Sequence, residues 1–428
     1  MTTILNADTD ALSFGKLAKG LRKDSRSVKN RVQSIFHDSQ HVKRVSESFE
    51  LPLVANERCG RWYISPDDIA ESVYFKSTDG HTNVHSFSTR RLNLHLLDFV
   101  KKHGGAVIVD STRRGKPIPD ALSKTIPQWC RVINLAVFGS QAPPLTTSPI
   151  IVGKSEHYEI EKKVDGWLED FLRTGVDIEK LKKTLDKPVK PIWITPKDML
   201  HDEPPKYTDF YPLVLCTASE MVQDGTDRRN GYIYVQGAAD DHEEWAEKLT
   251  PALLWSHKQV LGDMNKSDTE LLEYIDSLED VKNTSEDSTV TIEPTGMSFG
   301  TSQKPESFAA IISVAKTAPT HPKVLHKPLG EGKKGAKELR TALEPISKFY
   351  KDFVGQKVLV MADEDDLAVC IVLTLFCLYF NENGTVKEGK GNMSKEVIRR
   401  RLVYMIQQCK TINPARATLN AVNSFLMG

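Results

Sequence analysis

The sequence predicts an α/β protein of two domains, each built on its own sheet. The chain has 428 residues, which is more than one ordinary hydrophobic core fills. Short apolar strand patterns alternate with helical patterns in both halves, and this order is typical of α/β folds. An acidic, Ser/Thr-rich stretch that is poor in apolar residues separates the halves at about residues 263–305. We therefore predict domains at 1–280 and 281–428.

The first half opens on helices and continues into alternating strands and helices. Apolar residues recur at helical spacing over residues 11–50, whereas residues 51–65 are predicted to be extended around a central turn. Residues 88–105 predict a helix, because Ser88 suits the N-cap and a pair of glycines ends the pattern. The remaining elements of this half are the strand 106–110, the helix 126–139, strands in PIWIT, PLVLCTAS and GYIYVQG, and a helix that carries Trp245.

The second half repeats the α/β pattern with longer helices. Strands are predicted in FAAIISVA and KVLVMAD, and helices in KELRTALEPISKFYKDFVG, DLAVCIVLTLFCLYF, KEVIRRRLVYMIQQC and NPARATLNAVNSFLMG. The stretch GEGKKGAK (330–337) resembles a phosphate-binding P-loop, but Ala336 stands where that motif needs its lysine. We therefore exclude a P-loop at this position.

The composition predicts a globular protein of the cytosol or nucleus. Apolar residues make up 39% of the chain and charged residues 27%. No apolar run approaches the ~20 residues that span a bilayer, and the N-terminus lacks the pattern of a secretory signal. The 6 cysteines are scattered and form no C-x-x-C pair, which argues against a disulfide framework or a structural zinc site. We expect a monomer that does not bind membranes.

The charge is balanced overall but unevenly distributed. Residues 1–45 hold nine Lys/Arg and four Asp/Glu, whereas residues 263–287 hold nine Asp/Glu and two Lys. Such separation can give a basic face that binds a phosphate-rich partner. The alternative is that these residues form ordinary solvated helix faces.

The stretch after the strand 106–110 carries the strongest functional signal. Open α/β sheets bind ligands where a strand ends in a polar loop that enters a helix, and helix N-termini favour anions. Guanidinium groups match phosphate oxygens in pairs. The predicted phosphate-binding residues here are Arg113, Arg114, Lys116 and Lys124, and the carboxylates for a metal or a proton are Asp110 and Asp120. Alternatively, a carboxylate caps a helix and the arginines pair with acids elsewhere.

Two further stretches supply candidate ligands. Lys76 lies beside the polar turn STDG, and Arg90 and Arg91 occupy what is predicted to be the first turn of a helix. Cations are unfavourable at that position, so a bound anion would explain them. The carboxylates that follow the strand in GYIYVQG suit Mg²⁺ or a helix start, and they are Asp240, Asp241, Glu243 and Glu244.

Long motifs in this chain closely resemble the initiator tRNA 2′-O-ribosyl phosphate transferases of fungi and plants. The motifs are LPLVANERCGRWY, VYFKSTDGH, RRLNLHLL, VDSTRRGKPIPDALSKTIPQWC, GYIYVQGAADDHEEWAEKLTP, HKPLGEGKKGAKELRTALEPISKFY and PARATLNAVNSFLM. The resemblance implies transfer of a phosphoribosyl group from 5-phosphoribosyl 1-pyrophosphate, with Mg²⁺, to the ribose 2′-hydroxyl of the purine at position 64 of initiator methionine tRNA. It also implies that the added group keeps this tRNA from the elongation factor.

The resemblance further implies that the C-terminal domain is similar to dual-specificity phosphatases. Such an enzyme needs Cys-x5-Arg between strand and helix, with a thiolate nucleophile. This chain has MADEDDLAVC (361–370) instead, so it lacks both residues, and Cys370 is expected in the core. We expect a scaffold or tRNA-binding module whose basic helix binds RNA through Arg399, Arg400 and Arg401.

The residues and the resemblance agree on a donor site in the N-terminal domain. Within it, Asp110 or Asp120 is predicted to be the metal partner or base, and Lys76, Arg90, Arg91 and the four loop cations bind phosphates. Two other functions compete with this one. One is a non-catalytic tRNA-binding protein, and the other is a phosphatase or phospholyase, against which the missing Cys and Arg argue.

Overall fold

The computed structural model describes residues 24–76, 85–113, 115–240, 245–278, 288–387, 393–409 and 412–428. Some sequence predictions fall outside these residues. They are the helical pattern before residue 24, the STDG turn at 77–80, Arg114, Asp241, Glu243 and Glu244.

The chain divides into two compact units. The first contains Met1–Phe87, Leu96–Leu168 and Ile178–Val281, and the second contains Ser88–His95, Glu169–Asp177 and Lys282–Gly428. Two short segments of the N-terminal half thus belong with the C-terminal residues. Each unit has its own buried apolar core. Among the described residues, no helix has the length and apolarity needed to cross a bilayer.

The first unit is built on a parallel sheet of five strands. Its strands are β1 (Leu53–Asn56), β2 (Ile69–Val73), β3 (Ala106–Asp110), β4 (Val189–Ile194) and β5 (Tyr211–Thr217), in the order β2-β1-β3-β5-β4. All four pairings are parallel. Every residue of β3 and β5 is buried, as expected for central strands covered on both faces. An antiparallel hairpin joins β6 (Thr226–Arg229) to β7 (Tyr232–Val235).

The second unit is built on a mixed sheet of five strands. Its strands are β8 (Val290–Ile292), β9 (Met297–Phe299), β10 (Ala310–Ser313), β11 (Val324–His326) and β12 (Val358–Met361). They lie in the order β11-β10-β12-β9-β8, and of these four pairings only β8–β9 is antiparallel. The predicted α/β class is therefore confirmed in both halves of the chain.

The α-helices of the described residues lie before, between and after these strands. They are α1 (Val28–Phe49), α2 (His95–His103), α3 (Ile126–Phe138), α4 (Lys154–Glu161), α5 (Val164–Leu172), α6 (Ile178–Thr184), α7 (Pro251–Ser256), α8 (Lys258–Leu261), α9 (Asp268–Ser277), α10 (Gly332–Tyr350), α11 (Asp365–Tyr379), α12 (Lys395–Gln408) and α13 (Arg416–Met427). A π-helical turn, Ala121–Thr125, leads into α3. The rejected P-loop stretch forms the start of α10.

Three predicted elements differ from the structure. The helix predicted from residue 88 begins at His95, because the hydroxyl of Ser88 accepts the amide of Arg91 in a local turn and Asn93 has a φ of 48°. Trp245 precedes its predicted helix, which begins at Pro251 after the Thr250 cap. The segment after β1 forms a 3₁₀ turn, Gly60–Tyr63, and the extended strand β2 comes later.

Candidate functional site

A polar pair joins the carboxyl ends of two adjacent strands of the first sheet. Asn56 ends β1 and Asp110 ends β3, and the amide Nδ2 of Asn56 donates to Oδ2 of Asp110 over 2.8 Å. The chain runs from β1 to β2 on one side of β1 and returns to β3 on the other. In open α/β sheets such a switch point is where ligands bind. The pair therefore marks the place at which a ligand site is expected.

Asp110 is enclosed by protein. Its side chain has no solvent exposure. Oδ1 accepts the backbone N–H of Ser111 over 2.8 Å, while Oδ2 accepts Asn56. Burial raises the pKa of Asp110 to about 7, against the hydrogen bonds from Asn56 and Ser111, which lower it. In this structure Asp110 positions the strand ends and the start of the following loop.

The backbone of that loop is held by side chains from the far side of the site. The hydroxyl of Ser219 donates to the carbonyl of Thr112 over 3.0 Å and accepts its N–H over 3.3 Å. The amide Nε2 of Gln236 donates to the carbonyls of Arg113 and Lys116 over 3.1 and 2.9 Å. Because Ser219 and Gln236 are both buried, these bonds fix the path of the loop.

Gly237 allows this close approach. Its φ is +67°, and a Cβ there would lie 2.7 Å from the carbonyl oxygen of Thr112. Any side chain would meet both an unfavourable backbone conformation and rigid backbone. The contact between the loop and residue 237 therefore requires glycine.

Among the described residues of the loop, two cations are exposed. The side chains of Arg113 and Lys116 are 59% and 54% exposed. Nε of Arg113 lies 3.3 Å from Oδ2 of Asp240, and Nζ of Lys116 lies 2.5 Å from Oδ2 of Asp120. A rigid backbone with solvent-facing cations at the carboxyl edge of the sheet is a suitable arrangement for binding phosphate oxygens.

Lys124 and Lys76 have different surroundings. Nζ of Lys124 lies 2.7 Å from Oε1 of Glu156, and Nε2 of His85 lies 3.6 Å from the same oxygen. The side chain of Lys124 is only 22% exposed, so its ammonium group is mostly shielded from solvent and is paired with the carboxylate of Glu156. The carbonyl of Lys76 accepts the hydroxyl of Thr125 over 3.2 Å. Backbone contact thus brings Lys76 next to the turn that carries Lys124.

Sequence reasoning did not select several residues that build this site. They are Asn56, Cys59, Ser219 and Gln236. The thiol of Cys59 lies 2.7 Å from Oδ1 of Asp240, and burial and then the charge of Asp240 raise its pKa well above the usual range. The signal for Asn56 and Gln236 was available, since each is a polar residue at the carboxyl end of a predicted strand. Only the fold shows that these ends converge.

Arg90 and Arg91 lie in the second unit, in the segment Ser88–His95. They precede α2, so the helix-dipole reason for expecting an anion beside them does not hold. Nε of Arg91 donates to Oδ1 of Asn413 over 3.0 Å. The structure groups these arginines with residues of the C-terminal domain.

The three consecutive arginines of α12 point in three directions, as successive helical residues must. Arg401 is 5% exposed, donates to the carbonyl of Phe380 and lies over the ring of Phe376. The prediction that Arg401 contacts tRNA is wrong, because its guanidinium is buried in the core. Arg400 lies 2.9 Å from Glu396 and 3.5 Å from Glu382, so carboxylates already balance it. Arg399 is partly exposed.

The acidic loop after β12 caps its neighbours. Asp363 accepts the backbone N–H of Lys316, both oxygens of Glu364 accept that of Gly332, and Asp366 accepts that of Ala415. Cys370 lies in α11 with no exposure, and burial raises the pKa of its thiol. These backbone N–H groups already donate to carboxylates. At these positions they therefore cannot bind a phosphate as the amides of a phosphatase loop do.

The described residues contain no group of three or more His, Cys, Asp or Glu arranged to hold a metal ion. A Mg²⁺ ion that arrives with a pyrophosphate needs only one or two protein carboxylates, because phosphate oxygens and water supply the other ligands. Asp120 and Asp240, which lie beside the loop cations, are the carboxylates that could supply these one or two ligands.

Comparison with known proteins identifies both halves. The family model described as the Rit1 N-terminal domain matches residues 21–280, and the Rit1 DUSP-like domain matches residues 323–426. The C-terminal domain is therefore similar to dual-specificity phosphatases, as predicted.

Two full-length relatives are also similar. The tRNA A64-2′-O-ribosylphosphate transferase of Saccharomyces cerevisiae is 34% identical, over 97% of this chain and 95% of that protein. An uncharacterized protein of Schizosaccharomyces pombe is 35% identical, over 94% of this chain and 95% of its own length. Among solved structures, the Yvh1 phosphatase domain of Chaetomium thermophilum covers 32% of this chain and 94% of its own, with 13% identity and a TM-score of 0.27. The chain belongs to the Rit1 family.

Proposed function

We propose that the protein transfers a phosphoribosyl group from 5-phosphoribosyl 1-pyrophosphate to the ribose 2′-hydroxyl of the purine at position 64 of initiator methionine tRNA. The family and the activity for which the Saccharomyces cerevisiae relative is named support this proposal. The observation that carries the donor assignment is the anchored loop after β3. Its backbone is held by Gln236 and Ser219, while Arg113 and Lys116 extend into solvent.

The reaction makes one bond and breaks one. The 2′-oxygen of the tRNA ribose bonds to C1 of the donor ribose, and the bond from C1 to the pyrophosphate oxygen breaks with its electron pair on that oxygen. Positive charge develops on the donor ring and negative charge on the leaving group. Arg113 and Lys116 would stabilise the leaving pyrophosphate, because fixed cations need no reorganisation as charge develops.

The proton of the 2′-hydroxyl needs an acceptor. Asp110 is fully buried and both of its oxygens accept hydrogen bonds, so we assign it the positioning of Asn56 and of the loop. The side chain of Asp120 is 19% exposed and pairs with Lys116. When the pyrophosphate draws Lys116 away, the carboxylate of Asp120 becomes available to accept the proton.

Mg²⁺ would be held by the pyrophosphate together with Asp120 or Asp240 and would supply further charge neutralisation. Initiator tRNA carrying the bulky anion would then be excluded from the elongation factor. A tRNA substrate and the free cysteines of the described residues fit a cytoplasmic enzyme.

The activity can be identified by the chemistry of its product. A substituted 2′-oxygen cannot attack the adjacent phosphodiester, so one linkage of the modified tRNA resists alkali. Purified protein, labelled donor, Mg²⁺ and unmodified initiator tRNA should give a labelled, alkali-resistant dinucleotide that contains residue 64. Elongator methionine tRNA should give none. Binding of tRNA without this product, with donor and Mg²⁺ in excess, would instead indicate a non-catalytic tRNA-binding protein.

A further inference from the structure

Four arginines from three separate segments gather in the second unit. Arg90 and Arg91 come from the segment Ser88–His95, Arg399 comes from α12, and Arg416 is the first residue of α13. All three segments belong to the same compact unit. We call these four residues the arginine cluster.

One direct contact joins two of the segments that carry the cluster. Nε of Arg91 donates to Oδ1 of Asn413 over 3.0 Å, which ties the Ser88–His95 segment to the residues that lead into α13. Arg90 is partly buried. Its pKa lies below the usual range because burial, and then the positive charges of Arg91, Arg416 and Arg399, disfavour its charged form.

Carboxylates do not neutralise Arg90, Arg399 and Arg416 in the way that they neutralise the neighbouring Arg400. Within the part of the chain that the structure describes, Arg400 has Glu396 and Glu382 within 4 Å, whereas Arg90, Arg399 and Arg416 have no carboxylate within ion-pair distance. Asp366 lies near Arg416 in the fold, but its Oδ2 accepts the amide of Ala415 over 2.8 Å and the hydroxyl of Thr418 over 3.4 Å.

Like charges that are held together and partly desolvated raise the free energy of the folded chain. An anion that binds across them removes this repulsion, and guanidinium groups match phosphate oxygens. The ligand chemistry of the cluster is therefore phosphate, which could come from an RNA backbone or from the donor pyrophosphate.

We propose that the arginine cluster binds backbone phosphates of the tRNA substrate, an inference that rests on the proposed function. A pyrophosphate with Mg²⁺ needs carboxylates beside the cations, and the described contacts of Arg90, Arg399 and Arg416 include none. These three arginines come from three segments and, within the described part of the chain, have no carboxylate partner, which suits a nucleic-acid backbone, where phosphate contacts position the ligand without reading its sequence. The cluster thus gives the phosphatase-like domain an RNA-binding role without a phosphatase loop.

The test is a salt titration of RNA binding without donor. Full-length wild type, Arg399→Ala, Arg416→Ala and Arg400→Ala are titrated with a fluorescent transcript of initiator methionine tRNA at several salt concentrations. Arg399→Ala and Arg416→Ala should bind several-fold more weakly, and the slope of log K against log salt should fall by about 1 for each lost contact. Arg400→Ala, one residue away but already paired, should keep the wild-type slope.

Two further measurements make the result decisive. Arg399→Lys retains the positive charge and should largely retain the salt slope, so a loss seen only in Arg399→Ala reflects the missing charge and not a folding defect. The affinity for 5-phosphoribosyl 1-pyrophosphate should be unchanged in Arg399→Ala and Arg416→Ala. Wild-type slopes in both alanine variants, or absence of tRNA binding by the wild type, would overturn the proposal. Lost donor affinity with an intact salt slope would assign the cluster to the donor instead. Wild type that binds tRNA through the cluster but forms no product would contradict the proposed reaction and leave this binding site standing.

Discussion

The amide of Asn56 connects two strand ends through a hydrogen bond of 2.8 Å to Asp110. The same side chain donates to the carbonyl of Phe75 over 3.0 Å and accepts the N–H of Phe75 over 2.8 Å. One buried side chain therefore links β1 with β3 and with the residues after β2. The carboxyl edge of the first sheet depends on it.

Replacing Asn56 by Ala should destabilise the protein. The change leaves Asp110 and both backbone groups of Phe75 without these partners. Each buried polar group that loses its hydrogen-bond partner lowers the stability by about 1–3 kcal/mol. We expect the free energy of unfolding, measured by urea denaturation, to fall by at least about 2 kcal/mol. Asn265→Ala, a change at an exposed site, is the control and should stay within about 0.5 kcal/mol. Equal stability of the two variants would show that the Asn56 bonds contribute little.

Asp110 should give the stability a defined pH dependence. Its pKa is about 7 in the folded chain and near the ordinary aspartate value of 3.8 when the chain is unfolded. The folded state therefore binds more protons between these values, so the contribution of Asp110 to stability is full below about 4 and decreases as the pH rises to about 7. Urea denaturation at a series of pH values should show the wild type losing stability relative to Asp110→Asn over this range. A wild type that gains stability relative to Asp110→Asn as the pH rises would contradict the raised pKa.

Gly237→Ala should displace the loop that carries Arg113 and Lys116. The new Cβ would lie 2.7 Å from the carbonyl oxygen of Thr112, at a φ of +67°. Gly139→Ala is a matched control, because Gly139 has a φ of +56° but open space around a Cβ. We expect transfer to fall at least roughly tenfold more in Gly237→Ala than in Gly139→Ala, with kcat/KM as the readout. Equal losses would mean that backbone strain alone matters.

Cys370 should have no part in catalysis. It is fully buried in α11, and burial raises the pKa of its thiol, so no reactive thiolate forms. Cys370→Ala should retain the kcat of the wild type per folded molecule, at a modest cost in melting temperature. The wild type should not hydrolyse an aryl phosphate. Hydrolysis that disappears in Cys370→Ala would show that the phosphatase-like domain is active.

Local patterns were sufficient to predict most strands and helices, because apolar periodicity depends only on residues that are close in sequence. The burial of a single side chain, and contacts between residues far apart in sequence, cannot be predicted from such local patterns. Arg401 resembles Arg399 in sequence, yet one is buried against Phe376 and the other is partly exposed. Arg90 lies closer in sequence to β3 than to α12, but the fold groups it with Arg399. The loop after β3 was recognisable from its cations, whereas its anchors Ser219 and Gln236 follow more than 100 residues later along the chain.

The central claim is that the loop after β3 binds the donor, and calorimetric titration with 5-phosphoribosyl 1-pyrophosphate and Mg²⁺, without tRNA, tests it most directly. Each charge-assisted bond to a phosphate contributes about 1.5–3 kcal/mol, so Arg113→Ala and Lys116→Ala should each bind the donor at least roughly tenfold more weakly than the wild type. Lys102→Ala, an exposed change in the last turn of α2, should bind it as the wild type does. Unchanged donor affinity in both loop variants, with a loss in Arg399→Ala, would place the donor at the arginine cluster and contradict the account.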